Sequence, residues 1–76
     1  MPHERTTIML RFMVDRLHVG TPDSEVEAEV RSRCAVAREK GAVIEPEKEE
    51  AWVIQAIRIH QENRRIHDFV VWAVTD

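Results

Sequence analysis

In the C-terminal half of the chain, Trp52, Ala56, Ile59, Asn63, Ile66, Val70 and Ala73 recur at alternating spacings of four and three residues. That period predicts a helix whose apolar seam carries one polar position, Asn63. Its start is set at Glu45-Pro46, because the residue before a proline avoids helical geometry and proline suits the first helical position. Glu47, Glu49 and Glu50 then complement the dipole of the first turns. No glycine or proline follows, so the pattern extends to about Val74, roughly 42 Å at 1.5 Å per residue. For so short a chain this is long: either residues 68–76 break away as a short strand or tail, or the helix projects and invites a partner.

Upstream, Thr21-Pro22-Asp23-Ser24-Glu25 places a capping hydroxyl before a proline and acids, which predicts a helix over about 22–40. Its apolar stripe, Val26, Val30, Cys34 and Ala37, is small in volume and predicts close approach to a neighbour. Lys40 and Gly41 supply the stop, and Ala42-Val43-Ile44 is expected to tuck under the domain.

Residues 4–18 admit two periods. Ile8, Leu10, Phe12 and Val14 alternate as in a strand, while Met9, Leu10, Met13, Val14 and Leu17 form a helical stripe. We read a helix, since the stripe continues to Leu17 beyond the alternating run and Gly20 offers a stop. Ile8 and Phe12 then lie beside the stripe and need a second contact. The fold expected is all-α, one compact three-helix domain over 1–76 with a long C-terminal helix. The alternative is α+β, with residues 6–14 as a strand.

Composition supports that choice. The chain has 76 residues, 43% hydrophobic and 33% charged, which suits a globular domain rather than a disordered tail. Two glycines and three prolines favour long elements, and the absence of tyrosine weakens a strand-rich reading. A chain this short buries only roughly 60% of its unfolded surface, which argues against a deep private catalytic pocket.

Charge narrows the partners. The net charge is −3, and residues 21–50 hold nine acids against five bases. There is no concentrated basic footprint for a phosphate backbone. The lone Cys34 can form no intramolecular disulfide, and the stretch Ile8–Val14 is too short and too charged at Arg11 to span a membrane. These features predict a soluble, cytoplasmic protein.

Candidate chemistry is sparse. His60, Arg64 and His67 share a helix face, but residues seven apart lie roughly 10 Å apart along the axis, too far for both imidazoles to hold one ion. His60-Gln61-Glu62-Asn63-Arg64 also lacks the second histidine of the metalloprotease pattern. Cys34 reads as a small buried hydrophobe, and the acids from Glu45 to Glu50 as a solvated helix start without calcium-loop spacing. Asn63 within the seam can fix the register of a homodimer, or be satisfied inside one chain. Trp52 lies on the seam and reads as core; Trp72 lies off it and is a candidate contact.

Two segments, His18-Val19-Gly20-Thr21-Pro22-Asp23-Ser24-Glu25-Val26 and His60-Gln61-Glu62-Asn63-Arg64-Arg65-Ile66, resemble small uncharacterised accessory proteins of actinobacterial tailed phages. The resemblance implies a setting, a phage-encoded protein that binds a host or phage protein, and carries over no functional residue.

The function expected is therefore a non-enzymatic protein-interaction module, an inhibitor or modulator of a larger protein, needing no cofactor or metal and no membrane. Arg64, Arg65 and Trp72 are the expected partner-binding residues, and Asn63, Ile59 and Ile66 the expected self-association residues. The alternative is a small DNA-associated regulator of helix-turn-helix type. It would have to use Arg58, Arg64 and Arg65, because Glu47, Glu49 and Glu50 at the start of its recognition helix would face phosphates.

Overall fold

The chain forms α1 (Pro2–Asp15), α2 (Asp23–Glu39) and α3 (Pro46–Thr75). The computed structural model describes residues 2–75, with side chains from residue 5 onward. The helical stripe in the N-terminal segment has prevailed over the alternating one: Leu10, Met13 and Val14 are buried, while Ile8 and Phe12 stay exposed without the second contact they were expected to need. No strand occurs among the described residues.

α3 is the spine. α2 lies antiparallel to it, since Arg38 near the end of α2 meets Glu49 near the start of α3, and Asp23 at the start of α2 meets Gln61. α1 runs parallel to α3: the Gln55 amide donates to the Thr7 hydroxyl at 2.9 Å, and the Asn63 amide donates to the Asp15 carboxylate at 2.7 Å. Buried between the helices are Leu10, Met13 and Val14 from α1, Val26, Val30 and Cys34 from α2, and Val53, Ala56 and Ile59 from α3. Leu17, Ile44, Trp52 and Ile57 pack around this layer.

The seam of α3 is buried only in its first half. Trp52 is half-buried and Ala56 and Ile59 are core, but Ile66, Val70 and Ala73 are exposed. The buried strip is also rotated toward Val53 and His60, because two helices, not one, cover this side of α3.

Boundaries follow local chemistry, with corrections. α1 stops at Asp15, five residues before Gly20, in turns closed by Arg16 N–H to the Met13 carbonyl and Leu17 N–H to that of Val14. At α2 the N-cap is Pro22, and no side chain caps the helix; the Thr21 hydroxyl does not perform the expected role. The far end of α2 is a Schellman closure, with Ala42 N–H donating to the Ala37 carbonyl at 2.9 Å and Gly41 N–H to that of Arg38 at 3.0 Å. Gly41 has φ of 99°, a conformation that costs any residue with a Cβ. Of the apolar connector only Ile44 is tucked in; Val43 is 90% exposed.

The Cα radius of gyration is 14.2 Å and the long axis 51 Å. A compact domain of this length has a radius of about 11 Å. The difference is the last part of α3, which runs past the helices that cover its first five turns.

Ala56 is completely buried in the layer between the helices. Ala56→Leu should therefore lower stability by about 1–3 kcal/mol through overpacking, whereas Ala73→Leu in the exposed part of α3 should change it by less than about 0.5 kcal/mol. Urea unfolding followed by far-UV circular dichroism measures both.

Candidate functional site

Beyond Arg64 every described residue of α3 is exposed. Ile66, Phe69, Val70, Val71, Trp72 and Val74 present large apolar side chains there, with Trp72 at 60% and Val74 at 79% exposure. Phe69 and Trp72 are neighbours, ring centroids 5.8 Å apart and planes tilted by 40°. The inward stripe of α3, Val53, Ala56, His60, Asn63, His67, Val70 and Val74, continues at three- and four-residue spacing into this region. Its first three members are buried by α1 and α2; its last three have nothing on them. This concentration of exposed apolar side chains on one helix end is the candidate site of the molecule.

The root of the projection is locked. His60, only 1% exposed, lies 2.7 Å through Nε2 from the Thr21 carbonyl. A carbonyl only accepts, so Nε2 carries the hydrogen. Arg64 reaches the same loop, donating from Nε to the Val19 carbonyl at 3.1 Å and from Nη2 to that of Thr21 at 3.2 Å. Asp23 completes the cluster: its Oδ2 accepts from the Gln61 amide at 3.2 Å, and its buried Oδ1 makes no hydrogen bond but sits 3.5 Å from Arg64 Nη2. These contacts satisfy loop carbonyls that have no helical partner and pin the α1–α2 connection to α3.

At the opposite end Arg31 holds three carboxylates. Its Nε donates to Glu27 at 2.8 Å, Nη1 to Glu49 at 2.7 Å and Nη2 to Glu50 at 2.7 Å. Arg38 donates to the other oxygen of Glu49 at 2.6 Å and, from Nε and Nη2, to the Ile44 carbonyl. Glu49, 13% exposed at its side chain, is therefore no part of a solvated helix start. Arg38 first and Arg31 second hold its carboxyl below the usual carboxylate range. Burial, and then the charge of Glu49, push the Cys34 thiol upward, so it stays protonated and makes a poor nucleophile. Among the described residues no group of three or more His, Cys, Asp or Glu side chains could hold a metal ion, and no helix is long and apolar enough to cross a membrane.

The residues singled out from the sequence divide by location. Trp72, Arg65 and Ile66 are exposed on or beside the projecting end. Arg64 is half-buried at its root and occupied by Val19, Thr21 and Asp23. Ile59 is 5% exposed in the core, so it is no surface contact. Asn63 spends its amide on Asp15 within the chain. Sequence reasoning put His60 on a hydrogen-bonded or solvated flank of the helix; it is hydrogen-bonded but buried, as its position four residues after Ala56 and seven after Val53 already allowed. Sequence reasoning missed Arg31, whose only readable partner was Glu27 at i−4.

A second feature lies on the far side of the domain. Between α1 and α2 runs an apolar groove of about 370 Å³, lined by Met9, Leu10, Met13, Cys34, Ala37 and Trp52.

Two outcomes test these clusters. His60→Leu leaves the Thr21 carbonyl short of its best donor and should cost about 1–3 kcal/mol in urea unfolding. For Glu49 the carboxyl pKa is lowered by folding, so its contribution is complete above the unfolded value and is lost as pH falls through the folded one. Urea midpoints of the wild type should thus decline on acidification below the normal carboxylate range, and Glu49→Gln should flatten that decline. No protein-family model matches this chain, and comparison with the curated proteins and with the solved structures gives no significant match.

Proposed function

We propose that this protein is a non-enzymatic protein-interaction module whose binding element is the projecting end of α3. The observation that supports this reading is that α3 runs on for about three turns beyond α1 and α2, leaving in solvent both Val70 and Val74 of its core-facing stripe and Phe69 and Trp72 on its opposite side. Apolar aromatic side chains on a rigid helix lose little entropy on docking and are the usual anchors of an interface. The latch of His60 and Arg64 on the Thr21 carbonyl holds the root of that helix in a fixed direction, so binding does not have to order it. Arg65, exposed beside the patch, supplies a charged rim. The small size suits a modulator that acts by occupying a larger protein. On the resemblance of residues 18–26 and 60–66 to phage accessory proteins, the partner in this reading is a host or phage protein.

A tagged wild-type chain should retain a stoichiometric protein from nuclease-treated lysate of its native cell. The Trp72→Ala, Phe69→Ala variant should lose it by tenfold or more with its unfolding midpoint unchanged. Retention by the variant would place the binding surface elsewhere. Capture of nucleic acid without nuclease, and of nothing with it, would replace this reading with the DNA-associated one.

A further inference from the structure

The projecting end of α3 and the groove between α1 and α2 match each other in length, polarity and charge. The projection, from Ile66 to Thr75, is about 15 Å long at 1.5 Å per residue. On α1 the outward face that borders the groove carries Arg5, Met9, Phe12 and Arg16, a run of similar length, with Met9 67% and Phe12 66% exposed. Across the groove α2 contributes Arg33. An apolar trough rimmed by three arginines thus lies on one side of the molecule. The projection brings Asp68 and a C-terminal helix end whose last turn holds no basic residue. A helix end of that kind carries partial negative charge and favours a cation beside it.

Resting on the reading that the end of α3 is a binding surface, we propose that its partner is a second copy of this chain. The projection of each copy lies in the α1–α2 groove of the other, around a two-fold axis. The topology allows the exchange to be reciprocal. α1 runs parallel to α3 and the domain covers only the first five turns, so two chains placed antiparallel and end to end each lay a projection across the outer face of the other's α1. In that register Arg5 of one chain meets the end of α3 near Thr75 of the other, and Met9 meets Val71. Met9 and Phe12 of α1 and Val70, Val71 and Val74 of α3 then cover one another, while Phe69 and Trp72, on the opposite side of α3, stay outside this contact. Because each chain offers one projection and one groove, the contact is made twice, as a stable interface of about 800 Å² per partner requires. The dimer does not pass through Asn63, whose amide is taken by Asp15.

Sedimentation equilibrium of the wild type should give twice the mass of one chain, and Val71→Glu and Met9→Glu, both at exposed positions, should each give a monomer with unchanged helix content. Site-directed oxidation tests the register without depending on a loss. In a Cys34→Ser background, Met9→Cys with Val71→Cys should form an interchain disulfide in most molecules, and neither single variant should exceed background. A monomeric wild type overturns the self-association; if Trp72-dependent capture of another protein persists, the interaction-module reading survives it. A dimer that resists Val71→Glu, or that fails to cross-link through 9 and 71, overturns the proposed surface.

Discussion

One face of α3, centred on Ala56, organises the molecule, and that face is longer than the helices available to cover it. Val53, Ala56, Ile59 and His60 are closed off by α1 and α2, and the same stripe then continues through Val70 and Val74 into solvent. The mismatch arises at the connection between α1 and α2. α1 ends opposite Asn63, α2 begins opposite Gln61, and both therefore run out at the same level of the spine. Burial of apolar surface is the main favourable term for so small a domain, and an uncovered stripe forgoes it unless a partner supplies the missing wall.

The polar groups divide their work between the two ends of the covered part. At the open end, His60 and Arg64 meet loop carbonyls that would otherwise be left unpaired close to the core. Leaving such groups unmade costs more than making them gains, so these residues determine where the chain turns as much as how stable it is. At the closed end Arg31 and Arg38 tie α2 to the first turns of α3 through Glu49 and Glu50. Partly exposed ion pairs contribute little individually, and their main effect here is to fix register between two helices whose facing side chains, among them Val26, Val30, Cys34 and Ala56, are small and smooth.

Much of the fold was legible in order along the chain. The three- and four-residue spacing from Trp52 to Ala73, the proline at 46 and the Lys40-Gly41 stop fixed the limits of α2 and the start of α3, since these signals depend on residues close in sequence, while the far end of α3 stayed open. The segment 4–18 carried two periods at once, and the helical one prevailed because Leu10, Met13 and Val14 could reach the same layer as Val26, Val30 and Ala56. That outcome depends on partners 12 to 46 residues away.

The sequence by itself determined the second and third helices, their stripes, and a last apolar period that is long for its domain; it left residues 4–18 between helix and strand and 68–76 between helix and tail. It also showed that no familiar catalytic or metal-binding constellation is present in pattern. Only the tertiary structure decided which half of the long seam is buried, that Ile59 is core and Asn63 is answered by Asp15, and that His60 is the best-buried polar side chain. Only it could pair Arg31 with Glu49 and Glu50, or bring the Thr21 carbonyl to His60 and Arg64. The physical reason is range. Helix period, caps and stops act over three or four residues, whereas burial and long-range hydrogen bonding depend on where distant segments meet, which the order of residues encodes only through the folded packing.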